Sequence, residues 1–249
     1  MTTHEMLYIV QSQLATDLNC TIDNINGEKD SFVFTVMKDK PGRRPFPRSE
    51  QDFEMLTMGN SIVVSATPGV LDIVKPLLVG KTRDEAFSMS FVYGHSLYYL
   101  PDLTNISQLA PPDGFTYEMV ERKNIPALYQ LEGFRNALGY DVNHLRPDVL
   151  AIVAKKDDCI SGVAGASNDC AKMWQIGMDV LPEHRNRGLA AYLVNALTLE
   201  ILRRGYVPYY GTSSVNVASQ RTAHRVGYAP AWVCVYKGKF EGLELSPTS

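Results

Sequence analysis

Cysteine is scarce in this 249-residue chain: Cys20, Cys159, Cys170 and Cys234 are too few and too scattered to staple a fold of this size. Disulfides are not called for, and a cytoplasmic setting is expected. No apolar run approaches the roughly 18 residues needed to cross a bilayer, so no membrane partner is expected. The opening MTTHEMLYIVQSQLATDLNC has no basic flank before its apolar residues and carries acidic residues inside, unlike a secretory signal. An excess of one charge is missing too. Lys and Arg number 24 against 27 Asp and Glu, a net charge of −3 with a pI near 6.0, which excludes nucleic-acid binding by bulk charge. The five histidines show no ligand spacing, and no metal is expected. No internal repeat or low-complexity tract is present. What remains is an ordinary globular composition, 45% hydrophobic and 20% charged, of one- or two-domain length.

The segment PDLTNISQLAPPDG, from Pro101 to Gly114, is rich in Pro, Asp, Ser and Asn, and its Pro-Pro-Asp-Gly end cannot continue a helix. A boundary is expected there, with an N-terminal mixed α/β domain over 1–110 and a second domain over 115–240. The first opens with a helix: Thr2 and Glu5 have capping-box spacing, and Leu7, Val10, Leu14 and Leu18 share a face. Strands are expected at 32–36, 53–57, 61–65 and 98–100, and a helix from Pro68 towards Val79. In the second domain, strands are expected at 115–120, 149–154, 159–166, 172–180, 207–212 and 228–237. Helices are expected at 125–138, in two pieces about Gly133, at 189–204 with Gly205 as its stop, and at 217–226. This order describes a mixed sheet with helices packed on it, an α/β (α+β) fold.

The most informative stretch is Asp179-Val-Leu-Pro-Glu-His-Arg-Asn-Arg-Gly-Leu-Ala190. A strand ends, a polar turn follows and a helix begins near Gly188. The first turn of a helix leaves backbone N–H groups without intrahelical partners, and with the dipole they favour an anion. Gly188 allows close approach, and Arg185 and Arg187 add positive charge. A phosphate or pyrophosphate is the expected ligand. The spacing alone is loosely specified and also fits an ordinary turn with solvated arginines.

After a further strand comes Ser213-Ser-Val-Asn-Val-Ala-Ser-Gln-Arg-Thr-Ala-His-Arg-Val-Gly-Tyr228. Together the two stretches resemble the GNAT N-acetyltransferase superfamily; within it, Ala164-Gly-Ala-Ser167, Met173-Trp-Gln-Ile-Gly-Met-Asp-Val180, Pro208-Tyr-Tyr-Gly-Thr212 and Pro230-Ala-Trp232 resemble a bacterial subfamily with an appended N-terminal domain. Val180-Leu-Pro-x-x-Arg185-x-x-Gly188-x-Ala190 matches its acyl-CoA pyrophosphate motif. Asn216-x-x-Ser219 with Gly227-Tyr228 matches its next helix. The resemblance spans Phe115 to about Phe240 and implies a GNAT-like fold using acetyl-CoA as co-substrate. It implies that strand 172–180 splays from strand 207–212, leaving a gap for the pantetheine arm near Asp179 and Val180. Asn186, Arg187, Gly188, Leu189 and Ala190 would hold the pyrophosphate, beside Arg185. Asn216 and Ser219 would contact the pantetheine arm or nearby backbone. The implied reaction is direct acetyl transfer to a primary amine of a small molecule. A non-catalytic sensor of acyl-CoA or CoA is the rival from another class, and protein acetylation a third reading. The acceptor, the acyl chain length and the oligomeric state, a homodimer among the options, are left open.

One departure bears on catalysis. Many superfamily members place a Tyr seven residues beyond the Asn to protonate the leaving thiolate; here that position is Ala223. Thr212, Ser213, Ser214 or a water could serve instead, and Glu132, Asp141 and His144 lie in the region that would shape the acceptor pocket; the base is unassigned, and Asp179, Ser213 and Glu132 are taken as the catalytic candidates. Strand alternation is expected to turn Trp174, Ile176 and Met178 towards the site and Gln175 and Asp179 away from it. Gly80-Lys-Thr82 lacks the first Gly and the preceding strand of a phosphate loop and is rejected as one. Gly42-Arg-Arg-Pro-Phe-Pro-Arg48 reads as a solvated basic turn fixed by its prolines.

Overall fold

The structure, a computed structural model, describes residues 1–45 and 51–240. Its elements are α1 (Thr3–Asp17), α2 (Ile22–Ile25), β1 (Phe32–Val36), β2 (Phe53–Thr57), β3 (Ile62–Ala66), α3 (Pro68–Leu78), α4 (Arg83–Phe87) and β4 (Ser96–Pro101). Then come β5 (Thr116–Glu121), a 3₁₀ stretch (Arg122–Gln130), β6 (Asp148–Lys156), β7 (Cys159–Asn168) and β8 (Met173–Val180). A short 3₁₀ turn (Pro182–His184), α5 (Leu189–Arg203), β9 (Val207–Ser213), α6 (Val217–Val226) and β10 (Tyr228–Lys237) complete the order. The expected mixed α/β class holds. The residues fall into two compact units. One is Met1–Val10 with Tyr98–Ala231; the other is the described part of Gln11–Leu97 and Trp232–Ser249. The segment 101–114 lies within the first of these.

In the unit built around Gln11–Leu97 the strands lie in the order β1-β3-β2-β10. β1 runs parallel to β3, and β2 antiparallel to both β3 and β10. Phe53, Met55, Ile62, Val64 and Val235 meet Val74 and Leu78 of α3 in its core. Pro68 opens α3, where a missing N–H costs nothing. Gly80-Lys-Thr82 proves to be the entry to α4. Thr82 and Glu85 cap each other's backbone in a capping box, which accounts for the motif without any phosphate. The described arginines of the basic turn are not solvated as expected; Arg48 lies outside the described residues. Arg44 is paired with buried Asp17, and Arg43 donates to the Asp17 carbonyl at 3.2 Å and to Gln51 Oε1 at 2.8 Å. Glu54 sits beside this pair. It accepts from Gln51 Nε2 at 2.9 Å and from the buried Cys234 thiol at 3.4 Å, and burial, reinforced by the Asp17 charge, raises its pKa.

In the other unit the strand order is β4-β9-β8-β7-β6-β5. β5 to β8 are antiparallel neighbours, and β8 and β9 are parallel. Helix α5 packs on β6, β7 and β8, and its Leu193, Leu197 and Ile201 are fully buried. It stops at Gly205, whose φ of 80° is the left-handed region glycine favours. Its last turn is tied back to β5: Arg204 donates to both Glu121 oxygens and to Glu200. On this unit's second core cluster, Ile125, Leu128, Phe134 and Leu138 pack against Ala151, Val153 and Val163.

That cluster holds the main departure from the expected elements. The helix expected over 125–138 is a 3₁₀ stretch that ends at Gln130, with Pro126 inside it, and 131–147 runs as loop. Pro126 removes a donor that a regular helix would use. Part of the loop's backbone is held by carboxylates outside it, at Asn136, Ala137 and Gly139.

Candidate functional site

β8 and β9 pair only part of the way. Their register runs from Met173↔Val207 to Ile176↔Tyr210 and stops there. On its other side β8 stays paired with β7 as far as Val180↔Gly162. Gly177–Val180 and Gly211–Ser213 therefore diverge, and among the described residues one edge of β8 has no neighbouring strand there. This is the splay the resemblance implied.

The turn after β8 is built from the strand end outward. Arg185 Nε donates to the Val180 carbonyl at 3.0 Å, closing the turn on itself. Asn186 and Gly188 both take left-handed conformations, with φ of 61° and 80°. Such reversals within a few residues gather successive N–H groups into a concavity that suits an anion. Gly188 is the N-cap of α5 and offers no side-chain cap. The first intrahelical bond is from Tyr192 N to Gly188 O at 3.1 Å, so the amides of 189–191 have no partner within the helix. Leu189 is buried and anchors the helix start, while Arg185, Asn186 and Arg187 are exposed. A Cβ placed on Gly188 would meet Arg225 Nη2 at 3.4 Å. Arg225, from α6, is thus a third guanidinium at this turn, and only the tertiary fold brings it there.

Asn216 and Ser219 lie at the start of α6. Asn216 Oδ1 accepts from Ser219 N at 3.1 Å, so the asparagine caps the helix. Ser219 Oγ lies 2.7 Å from the Tyr210 hydroxyl. Tyr210 is buried, and burial raises its pKa; the Ser219 bond opposes that shift, and the Asp179 charge adds to it.

The opposite face of β8 meets the loop 131–147. Gly165 and Gly177 are paired across β7 and β8 and leave a bare platform. A Cβ on Gly177 would stand 1.8 Å from the Asn136 carbonyl oxygen, and one on Gly165 would stand 1.9 Å from that of Ala137. The loop backbone rests directly on the sheet there. Two carboxylates hold it. Asp179 accepts from Asn136 N at 2.7 Å, from Ala137 N at 3.0 Å and from Asn136 Nδ2 at 2.6 Å. Asp148 accepts from Gly139 N and from the Tyr129 hydroxyl, each at 2.8 Å. A third carboxylate, Asp169, binds Arg146 at 2.9 Å and the Tyr209 hydroxyl.

This corrects the reading of β8. Alternation sorts its residues as expected, but Asp179 and Gly177 face the loop, while Trp174 lies on the other side, buried and stacked on Tyr206 at 4.2 Å. Asp179 binds backbone rather than standing free. Ser213 is exposed at the end of β9, its Oγ accepting from Val215 N at 3.4 Å. Glu132 is exposed, and among the described residues no hydrogen bond joins it to Asp179 or Ser213. The three catalytic candidates are thus not assembled into one hydrogen-bonded group. Sequence reasoning did not find Tyr210 or Arg225. The signal for Tyr210 was the tyrosine pair 209–210 one residue before Gly211 at the expected splay.

Among solved structures, the chain is similar to a GCN5-related N-acetyltransferase-like protein from Streptococcus suis 89/1591, at 16% identity, covering 72% of each chain with a TM-score of 0.45. It is similar to a GCN5-related N-acetyltransferase from Kribbella flavida at 17% identity, covering 74% of this chain and 71% of that one with a TM-score of 0.45. An acetyltransferase of the GNAT family from Colwellia psychrerythraea is 17% identical, with 59% of this chain and 57% of that one covered and a TM-score of 0.42. No curated protein matches the sequence. Residues 150–237, from β6 to the end of β10, match the family described as FR47-like protein.

Proposed function

We propose that this protein transfers an acetyl group from acetyl-CoA to a primary amine of a small molecule. The observation that carries the reading is the junction of two features on one strand: β8 parts from β9 after Ile176, and its far end runs straight into the amide-lined turn 185–190. A long ligand with an anionic head fits such a junction. Its diphosphate would take the amides of 186–190 with Arg185 and Arg187 beside it, and its extended arm would lie along the free edge near Asp179 and Val180. The glycine cradle at 188 and the left-handed Asn186 support the fit. Asn216 and Ser219 would border the arm from α6. The match of residues 150–237 to the FR47-like family supports the same assignment.

The rate would come chiefly from holding the thioester carbonyl and a neutral amine in line at the fork. Asp179 acts in this reading as a positioning residue, setting the loop 133–139 from which an acceptor would be contacted. The test is calorimetric titration with acetyl-CoA, followed by thiol release against a panel of amines. Binding with turnover on at least one small amine is expected, and Gly188→Asp should abolish binding by placing a side chain and a negative charge at the turn. Tight binding with no thiol release on any amine would instead identify a sensor, and no binding would remove both readings.

A further inference from the structure

Acyl transfer from a thioester to an amine expels a sulfur that must end as a thiol, so a proton has to reach it where the carbonyl is held. This inference rests on the acetyltransfer reading. The groups at the fork are few. Tyr210 is the last β9 residue in register with β8, facing Ile176 across the pair, and the strands diverge from that point. Its ring is 6.1 Å from that of Tyr228 on β10, and its hydroxyl is bonded to Ser219 on α6. Ser219 and Ala223 are four residues apart and so share a face of α6. Ala223 is fully buried and contributes a methyl group, with no acid, on that face. The hydroxyls of Thr212 and Ser219 are much weaker acids than a phenol.

We infer that Tyr210, from β9, gives the proton to the departing sulfur of the acyl donor. A bond forms between the amine nitrogen and the carbonyl carbon. The carbon–sulfur bond breaks with its electron pair on sulfur. The phenol proton passes to that sulfur, giving the free thiol. The product nitrogen sheds one proton to solvent, and the phenolate takes one back from solvent past the Ser219 hydroxyl, so the protein returns unchanged. Burial keeps Tyr210 protonated until it is called on. Its Ser219 partner fixes where the hydroxyl points.

The experiment compares wild type with Tyr210→Phe in steady-state thiol release at saturating acetyl-CoA, with acetyl-CoA affinity and melting temperature measured on the same preparations. Tyr210→Phe keeps the ring and removes the hydroxyl, and with it the acid and the bond to Ser219. Turnover is expected to fall about 100-fold, the lower end of general-acid contributions, with acetyl-CoA affinity within about twofold of wild type, since saturation then isolates the transfer step. Turnover within threefold of wild type would overturn the assignment, as would a fall matched by an equal loss of affinity. Ser219→Ala, which leaves the phenol but frees its hydroxyl, is expected to lose about tenfold in turnover and serves if the Phe variant does not fold; an unchanged rate would count against Tyr210. A wild-type protein that binds acetyl-CoA yet never releases thiol would sink the enzyme reading and this role with it, whereas an active wild type matched by an active Phe variant sinks this role alone.

Discussion

The Asp179 carboxylate on β8 accepts the backbone N–H of Asn136 at 2.7 Å, across 43 residues of sequence, and that of Ala137 at 3.0 Å with the same oxygen. One side chain thereby holds two amides of a stretch whose own turn is limited to the bonds from Ala137 N and Leu138 N to the Phe134 carbonyl. Asp179→Ala should cost about 1–2 kcal/mol, because the amide donors it leaves are only partly reached by water. Faster amide exchange at 136 and 137, and a higher KM for the amine acceptor than for acetyl-CoA, are expected. Protection at those two amides equal to wild type would count against the clamp.

The platform beneath the loop tolerates no Cβ. Gly177→Ala would place a methyl 1.8 Å from the Asn136 carbonyl oxygen, a backbone atom that cannot swing aside. A loss of about 1–3 kcal/mol is expected, as for other overpacked sites. It should be read as a lower urea midpoint at unchanged slope. Gly165→Ala, at 1.9 Å from the Ala137 oxygen, should behave alike.

Arg225 reaches the turn at Gly188 from α6. If the turn holds a diphosphate, Arg225→Ala should weaken acetyl-CoA binding about tenfold, or ~1.4 kcal/mol. The loss should shrink as salt is raised, since an exposed guanidinium is screened. Titration calorimetry at two ionic strengths reads both effects. Equal affinity for variant and wild type at low salt would remove Arg225 from the site.

Glu54 gives the other unit a pH signature. Burial and the neighbouring Asp17 charge raise its pKa above the ordinary glutamate value of 4.5. The folded chain therefore holds this proton at pH values where the unfolded chain has released it. Its contribution is complete below 4.5 and is lost as the pH climbs through the raised folded value. Relative to wild type, Glu54→Gln should gain stability as the pH rises from about 4 to 7. Parallel melting curves across that range would overturn this.

Much of the fold was legible because its signals are local. The capping box of Thr2 and Glu5 is present, with Thr2 N donating to Glu5 Oε2 at 2.7 Å. The apolar repeat of α5, its stop at Gly205 and the strand before Pro182 all stand where the periodicity put them. The loop 131–147 was not legible in this way. Its first part, to Leu138, has the apolar spacing of a helix, but the amides of Asn136 and Ala137 are held by Asp179, about 40 residues on and across the sheet, and that of Gly139 by Asp148 at the loop's own end. Packing between elements likewise hid the candidate site's other parts. The turn at 185–190 carries a compact motif. Tyr210 meets Ser219, and Arg225 meets Gly188, only once β9 and α6 are packed. Alternation along β8 sorted the residues correctly by side, but could not say which side met the loop.

Asn195 lies in the middle of α5, almost wholly buried, a costly place for an amide unless both ends are used. Its Nδ2 donates to the Ser107 carbonyl at 3.0 Å, and its Oδ1 accepts from Leu109 N at 2.9 Å. The proline-rich stretch that resembles a tether is accordingly bolted to the helix behind it. Proteases that favour slack connectors should pass it by until α5 itself gives way, and grafting extra residues between 107 and 109 should unseat the bolt rather than lengthen a hinge.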